Sequence, residues 1–354
     1  MDNTNIISTS DAEKVMKQRD MKKVAKKQLV IKIISLVLVY AFLLSVAVVV
    51  IFPFYFMLIS SVKTPQEFEQ VKPSLLPWQF NKGDNWADAI DWENYAQVFI
   101  YKPYELDDNG EQIKDAAGKP IETGYDLKLE LGQLMSNTVF VGVVSTILSL
   151  IITILTAFAF ARLEFKGKNA LFAALLATMM IPGELFTITN YGTVSAFGSK
   201  DFLGGALSWM GKNTFGVLIV PFLVSVFYIY LLKQNFQQVP NELYLAAKVD
   251  GTKDLKYLWK VMIPLALPTI ISITILKMMG SWNSYMWPKL VANDETHRLI
   301  TNGLRDAFNN GAGKTPDIPR QMAAVAVVSL PLFLVFIFLR KYIMKGVSRS
   351  GIKG

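Results

Sequence analysis

Residues 33–62 read IISLVLVYAFLLSVAVVVIFPFYFMLISSV and contain no charged side chain. About 20 apolar residues in a helix cross the roughly 30 Å hydrocarbon core of a bilayer. Three further long runs also lack charge: Leu131–Ala161, Asn213–Leu232 and Gln321–Leu339. Core helices of a soluble protein rarely produce several such runs. The sequence therefore predicts an all-α integral membrane protein.

Two weaker segments complete the predicted bundle. Residues 169–183 are uncharged, and because about 15 residues rise only about 22 Å in a helix, this span carries Glu184 into the outer part of the bilayer. Residues 261–276 are apolar, and Lys277 separates them from a second uncharged run that ends at Pro288. We therefore expect six transmembrane helices, with both termini on the same side.

The positive charge of the chain follows this topology. The net charge is +8, and 21 Lys or Arg residues lie before residue 33, in 162–168, in 233–260 and after residue 339. The long loop 63–130 instead has 7 Lys and 14 Asp or Glu. Because Lys and Arg favour cytoplasmic loops, both termini are predicted in the cytoplasm. The basic residues thus mark topology and not a nucleic-acid partner.

The predicted spans divide the chain into five parts. They are a cytoplasmic N-terminal segment (1–28), the first transmembrane helix (29–62), a long extracytoplasmic loop (63–133), a core with five transmembrane helices (134–342) containing a loop at 234–264, and a cytoplasmic tail (343–354).

Small residues line the second predicted span. They are Gly142, Ser145, Thr146, Ser149, Thr153 and Ala157. Such residues let helices approach closely in lipid, so this span is predicted inside the bundle. The chain has no Cys and one His, and no metal-ligand spacing or Ser/His/Asp triad can be assembled from it.

The loop after the fourth span has signals for two short helices. Asn241 is predicted to cap the first helix, and Asp250-Gly251 to end it, since glycine accepts the left-handed conformation found there. Thr252 is predicted to cap a second helix, and Pro264 and Pro268 to mark the return into the bilayer. The expected element is a helix–turn–helix lying flat on the cytoplasmic face, with the small Ala246-Ala247 step seated in a partner's groove.

This loop resembles the cytoplasmic coupling loop of ABC-importer permeases, whose pattern is P-x-E-L-x-E-A-A-x-x-D-G followed by L-P-L-x-x-P. The matching residues are Pro240, Glu242, Leu243, Ala246, Ala247, Asp250, Gly251, Pro264, Leu265 and Pro268. The glutamate that normally precedes the Ala-Ala pair is replaced by Leu245, and Glu242 is the nearest substitute for its charge. The ending Lys345–Gly354 is similar to the G-x-x-x-G-x-x-K-G tail of the carbohydrate subfamily, with spacings that differ from the pattern by one residue; Gly351 and Lys353 match it.

The resemblance implies a type I ABC-importer permease bundle of the maltose/maltodextrin type, covering roughly residues 130–354. It implies a second permease subunit, two ATPase subunits that bind ATP and Mg, an extracytoplasmic solute-binding protein and a sugar substrate. The chain itself would hold no cofactor and catalyse no reaction. Glycerol phosphate is the alternative substrate, and a secondary transporter is the alternative class.

Five residues are candidates for the substrate path. Glu184 and Lys277 are charges inside predicted spans, and such charges mark functional sites by default. Trp282, Asn283 and Tyr285 offer ring faces and an amide suited to sugar. Two other interpretations stay open: Glu184 at the outer interface, and Trp282 in an aromatic belt.

Overall fold

The computed structural model describes residues 9–68, 75, 90–99, 114, 131–198, 205–294, 296–309 and 318–348. The described residues fold as a helical protein, and the all-α class is confirmed. The helices are α1 Thr9–Ser60, α2 Pro65–Phe68, α3 Glu93–Phe99, α4 Leu131–Arg162, α5 Lys168–Thr178, α6 Gly183–Phe197, α7 Phe215–Ile219, α8 Val226–Gln237, α9 Asn241–Val249, α10 Asp254–Tyr257, α11 Ile263–Trp282, α12 Met286–Val291, α13 Ile300–Asn309 and α14 Ile318–Ser348.

Four helical segments of the described residues are long and apolar enough to cross a membrane. They are Lys26–Ser60, Leu131–Arg162, Asp254–Trp282 and Ile318–Phe338. The first agrees with the predicted span at 29–62, although its helix begins at Thr9. A fifth segment qualifies only as a bent pair of helices. The count of six spans stays a prediction.

The fourth predicted span is divided, which the uncharged run did not indicate. Phe215–Phe222 and Val226–Gln237 meet at an angle of 47°. Val220–Phe222 forms a single 3₁₀ turn, and Pro221 within it has no N–H to continue an α-helix. Ser225 then caps α8 by accepting a bond from the N–H of Tyr228. The chain therefore bends here and leaves backbone groups of the bend outside the helix pattern.

The third predicted span is also shorter than the prediction. α5 has 11 residues, and at about 1.5 Å per residue it rises only about 16 Å, too little for a crossing. Residues 179–182 interrupt the helix, with Pro182 at the N-cap of α6. Because proline cannot donate to the preceding turn, α5 and α6 are separate helices.

α4 is the central helix of the bundle and packs against α8 and α11. Its six predicted small residues, Gly142 to Ala157, are all buried, so the prediction that this span lies inside the bundle is confirmed. The ideal Cβ position at Gly142 lies 3.9 Å from the Cβ of Ser281, which shows how closely α4 approaches α11.

The predicted flat helix–turn–helix is wrong in its second half. α10 continues through a π-helical turn, Leu258–Met262, directly into α11. Pro264 follows directly after the π-helical turn and Pro268 lies inside α11, so neither proline ends the helical run. Only α9 is a separate short helix, because the two prolines do not turn the chain.

The long loop after α1 adds a local core on α14. Asn94 in α3 donates from Nδ2 to the carbonyl oxygens of Ser61 (3.1 Å) and Lys63 (2.8 Å). The hydroxyls of Ser61 and Tyr95 lie 2.7 Å apart. Val98 packs with residues of α4, α13 and α14. These contacts fix the end of α1 against the rest of the bundle.

Candidate functional site

α9 is the short helix that the sequence singles out, and its start differs by one residue from the prediction. Pro240 occupies the N-cap position and Asn241 is the first helical residue. The side chain of Asn241 does not cap the helix. Its Oδ1 instead accepts a hydrogen bond of 3.2 Å from Arg162 at the end of α4.

The end of α9 agrees with the prediction and depends on Gly251. Asp250 is the C-cap, and Gly251 has φ +70°, in the left-handed region. The N–H of Gly251 donates to Lys248 O (3.0 Å), and the N–H of Thr252 donates to Ala247 O (2.8 Å). These two bonds form a Schellman motif, which satisfies the last carbonyls of the helix. Gly251 is therefore required by backbone conformation.

Thr252 does not cap the next helix, because Lys253 takes the N-cap position of α10. A polar contact holds α10 against α9 instead. The hydroxyl of Tyr244 donates to Asp254 Oδ1 at 2.7 Å, and Lys248 Nζ lies 2.6 Å from the same oxygen. Burial raises the pKa of Tyr244, and its hydrogen bond to Asp254 adds to the shift. The rings of Tyr244 and Tyr257 also meet edge to face, 5.2 Å between centroids.

Arg162, at the end of α4, connects this helix to α8 and to α9. The residue is only 8% exposed. Its guanidinium donates to Phe236 O in the last turn of α8 (2.8 Å), to Val239 O and to Asn241 Oδ1. A cation near the C-terminus of a helix also interacts favourably with the helix dipole. In the sequence, Arg162 was counted among the charges that mark topology, and its basic character at the end of an apolar span is the sequence signal for this role.

The two faces of α9 are different. Tyr244 and Ala247 pack against the core formed by α4, α8, α10 and α11. Leu245 is 55% exposed and Val249 is 89% exposed, and Glu242, Leu243 and Ala246 are exposed as well. Ala246 and Ala247 were predicted to seat together in a partner's groove. In the structure Ala247 faces the chain's own core, and only Ala246 faces outward. We call the set Leu243, Leu245, Ala246 and Val249 the outer face of α9.

A second feature is a cavity of about 430 Å³ between α4, the α7–α8 bend and α11. Ser145, Tyr228, Lys277, Ser281 and Trp287 are among its lining residues. Lys277 Nζ donates to Phe222 O at 2.6 Å, within the bend. The cavity is nearer to the Trp282 end of α11 than to α9. Its volume falls within the roughly 300–1,000 Å³ that is typical of small-ligand sites.

Comparison with known proteins identifies the family. The model of the family "Binding-protein-dependent transport system inner membrane component" matches residues 145–349. The chain belongs to this family. The permease is therefore a multi-pass protein of the inner membrane, and the family resemblance seen in its loop at Pro240–Pro268 is confirmed.

Relatives agree with this assignment over most of the chain. The permease is 25% identical over 309 residues to "Inner membrane ABC transporter permease protein YcjP" of Escherichia coli (strain K12), covering 87% of this chain and 92% of the relative. It is 26% identical over 331 residues to "Polygalacturonan/rhamnogalacturonan transport system permease protein YtcP" of Bacillus subtilis (strain 168), covering 90% and 97%. A chain of a bacterial ABC transporter "involved in the import of the acidic polysaccharide alginate" has the same fold, with a TM-score of 0.64 at 20% identity, covering 86% of the permease and 95% of that chain.

The structure separates the five predicted substrate-path residues of the permease. Lys277 lines the cavity, whereas Trp282 is 5% exposed and packs in a core cluster with α4, α13 and α14. Asn283 is the exposed C-cap of α11. The ring of Tyr285 lies 4.6 Å from the guanidinium carbon of Arg305. The path roles of Asn283 and Tyr285 stay predictions.

Three predicted residues are described only in part or not at all. The backbone of Glu184 is in the first turn of α6, and its side chain is outside the described set. Gly351 and Lys353 lie outside the described residues altogether. Conversely, nothing in the sequence indicated that Tyr228, Ser281 and Trp287 line the same cavity. These residues come from α8, α11 and α12, and only the packing of the three helices brings them together.

Proposed function

We propose that this chain is the membrane-spanning permease subunit of an ABC importer and that α9 is the coupling helix on which an ATPase subunit docks. The observation that carries the proposal is the outer face of α9. It presents Leu245 and Val249 to the outside while Tyr244, Ala247 and Asn241 anchor the same helix to the bundle. An exposed apolar surface on an anchored helix suits a permanent protein contact.

The anchoring contacts suggest how force would reach the membrane spans. Arg162 connects the start of α9 to α4 and to the end of α8. Tyr244 and Lys248 connect its middle to Asp254, from which the chain runs as helix to Trp282. A displacement of α9 by the ATPase would therefore move α4, α8 and α11 together. Rigid-body motion of this kind is a known mode of switching, here between inward-facing and outward-facing states.

The proposed complex contains a second permease subunit, two ATPase subunits that bind ATP and Mg, and an extracytoplasmic solute-binding protein. Both termini of this chain would then be cytoplasmic. The proposed cargo is a sugar, because several relatives name polysaccharides or oligosaccharides as their cargo and the chain's tail is similar to that of the carbohydrate subfamily. Other relatives name sn-glycerol 3-phosphate. Maltodextrin-like oligosaccharides and glycerol phosphate are separate candidates to be tested side by side.

The experiment is uptake by proteoliposomes that contain the complex purified through a tag on this chain. We expect the uptake of radiolabelled oligosaccharide to require internal ATP and the solute-binding protein, and to be inhibited by vanadate. A protonophore should leave the uptake unchanged. Uptake that a protonophore abolishes and vanadate does not affect would instead establish a secondary transporter.

Leu245→Glu tests whether the ATPase binds the outer face of α9. Leu245 is 55% exposed, so the substitution should not alter the fold of the isolated subunit. In the complex it would place a carboxylate in an apolar contact, at a cost of roughly 1–3 kcal/mol. We expect the ATPase to dissociate about tenfold more readily, measured by retention of the ATPase on the immobilised permease.

Leu245→Met is the matched control, because it preserves the size and apolar character of the side chain. It should retain the ATPase as the wild type does. Tighter retention with Leu245→Glu would show that the ATPase has kept a basic partner for the glutamate that other family members carry, and that the apolar contact proposed here is wrong.

A further inference from the structure

The charge in the described wall of the cavity between α4, the α7–α8 bend and α11 comes from a single residue. Among its described lining residues, Lys277 is the only one with a charged side chain. The rest of the wall is apolar or carries hydroxyl groups, from Ser145, Ser225, Tyr228, Ser281 and Ser284. A charge inside a membrane span is costly and marks a functional site by default. The described wall therefore offers one cation and no carboxylate.

The bend of the fourth span holds Lys277 in place. Its Nζ donates to the carbonyl oxygen of Phe222, at the end of the 3₁₀ turn that Pro221 creates. A lysine ammonium has three donors, and this bond uses one of them. Two donors can therefore serve a ligand, while the bond to Phe222 O keeps the ammonium at the wall of the cavity.

The neutral part of the wall suits a sugar. The hydroxyls of Ser145 and Ser281 lie 3.2 Å apart, and each can donate or accept. The indole N–H of Trp287 donates to Val217 O at 2.9 Å, which fixes the ring, and Phe222 meets it edge to face with 5.6 Å between centroids. A pyranose ring has an apolar face and hydroxyl groups at its edge. A fixed aromatic ring beside hydroxyl groups is complementary to such a surface.

We infer that this cavity binds an acidic sugar and that the Lys277 ammonium contacts its carboxylate during translocation. The substrate class is thus an oligosaccharide of uronic acids, and the inference rests on the proposed function as an importer. The Lys277 ammonium balances the single negative charge of the one uronate carboxylate that it contacts. A phosphate monoester, which carries about −1.5 to −2 at pH 7, is the other anion that the test has to separate from it.

The test compares trigalacturonate with maltotriose, a neutral trisaccharide, as ligands of the purified complex without its solute-binding protein. Direct binding by titration calorimetry then reports on the permease and not on the specificity of the binding protein. We expect trigalacturonate to bind at least tenfold more tightly than either its methyl ester or maltotriose. Lys277→Met should remove this difference, and Lys277→Arg should retain part of it.

Lys166→Met is the charge-matched control, since Lys166 is an exposed residue between α4 and α5, away from the cavity. It should leave the preference for trigalacturonate unchanged. If Lys277→Met does not fold, the wild type decides: equal binding of trigalacturonate and its methyl ester overturns the inference. Equal loss of trigalacturonate and maltotriose in a folded Lys277→Met complex assigns Lys277 a structural role and also overturns it.

The same preparation separates this inference from the proposed function. ATP-dependent uptake of maltotriose but not of trigalacturonate would overturn the acidic substrate and leave the importer intact. ATP-dependent uptake of glycerol 3-phosphate alone would show that the transported anion is a phosphate and not a carboxylate, which also overturns the acidic sugar. Uptake that is independent of ATP for all three compounds would contradict the importer itself.

Discussion

Arg162→Ala is expected to reduce uptake more than tenfold and to lower the free energy of unfolding by roughly 3 kcal/mol. The guanidinium donates hydrogen bonds to two backbone carbonyls, Phe236 O and Val239 O, and to the side-chain amide oxygen of Asn241. A buried acceptor that loses its partner costs roughly 1–3 kcal/mol. Removing the side chain therefore weakens the fold and frees the start of α9 from α4 in the same step.

Two measurements separate these effects. Thermal unfolding of the subunit in detergent reports stability, and the ratio of uptake to ATP hydrolysis in proteoliposomes reports coupling. Arg162→Lys keeps the charge but has one donor group in place of the planar fork, so we expect partial rescue of stability and weak rescue of coupling. Lys168→Ala is the control, because Lys168 forms a pair with the exposed Glu164 at 3.3 Å. Normal coupling in a folded Arg162→Ala protein would show that α9 needs no connection to α4.

Gly251→Pro is expected to abolish both ATPase docking and uptake. Gly251 has φ +70°, whereas the proline ring holds φ near −65°. Proline also lacks the N–H that donates to Lys248 O, so the Schellman motif at the end of α9 is lost. The distance between α9 and α10 would change, and with it the contact of Tyr244 and Lys248 with Asp254.

Gly251→Asn and Gly251→Ala are the controls for conformation. The ideal Cβ position at residue 251 has no neighbour within 4 Å, so a side chain meets no steric obstacle there. Asparagine tolerates the left-handed region and should retain most uptake, whereas alanine should cost about 1–2 kcal/mol. Retention of ATPase on the immobilised permease and uptake in proteoliposomes are measured for all three variants. If both survive in Gly251→Pro, α9 is not the coupling helix.

Features that depend on neighbours in the chain could be predicted from the sequence. Long uncharged runs indicated the membrane helices, since the cost of burying charge in lipid applies to each segment separately. The small residues from Gly142 to Ala157 indicated the buried helix, and Gly251 indicated the end of α9. In each case the residue type and the local backbone preference carry the information.

Proline was a weaker guide than these signals. Pro264 and Pro268 were expected to turn the chain, yet α10 and α11 form one helical run through a π-helical turn. Pro221 was expected to lie within a span, yet the chain bends by 47° beside it. Whether a proline ends, bends or enters a helix depends on the partners found for the carbonyl groups that it leaves unbonded, and tertiary contacts decide those partners.

The surroundings of α9 and the cavity required the tertiary structure. Arg162 binds acceptors that are 74 to 79 residues away in the chain. Lys277 binds a carbonyl 55 residues away. Trp282 and Trp287 are both 5% exposed, but only Trp287 lines the cavity, whereas Trp282 packs in a different core cluster. The sequence by itself determined a membrane protein, and it indicated a loop at Pro240–Gly251 that resembles the coupling loop of ABC-importer permeases. Packing alone decided which charges and rings lie at a site, because their partners come from helices distant in the chain.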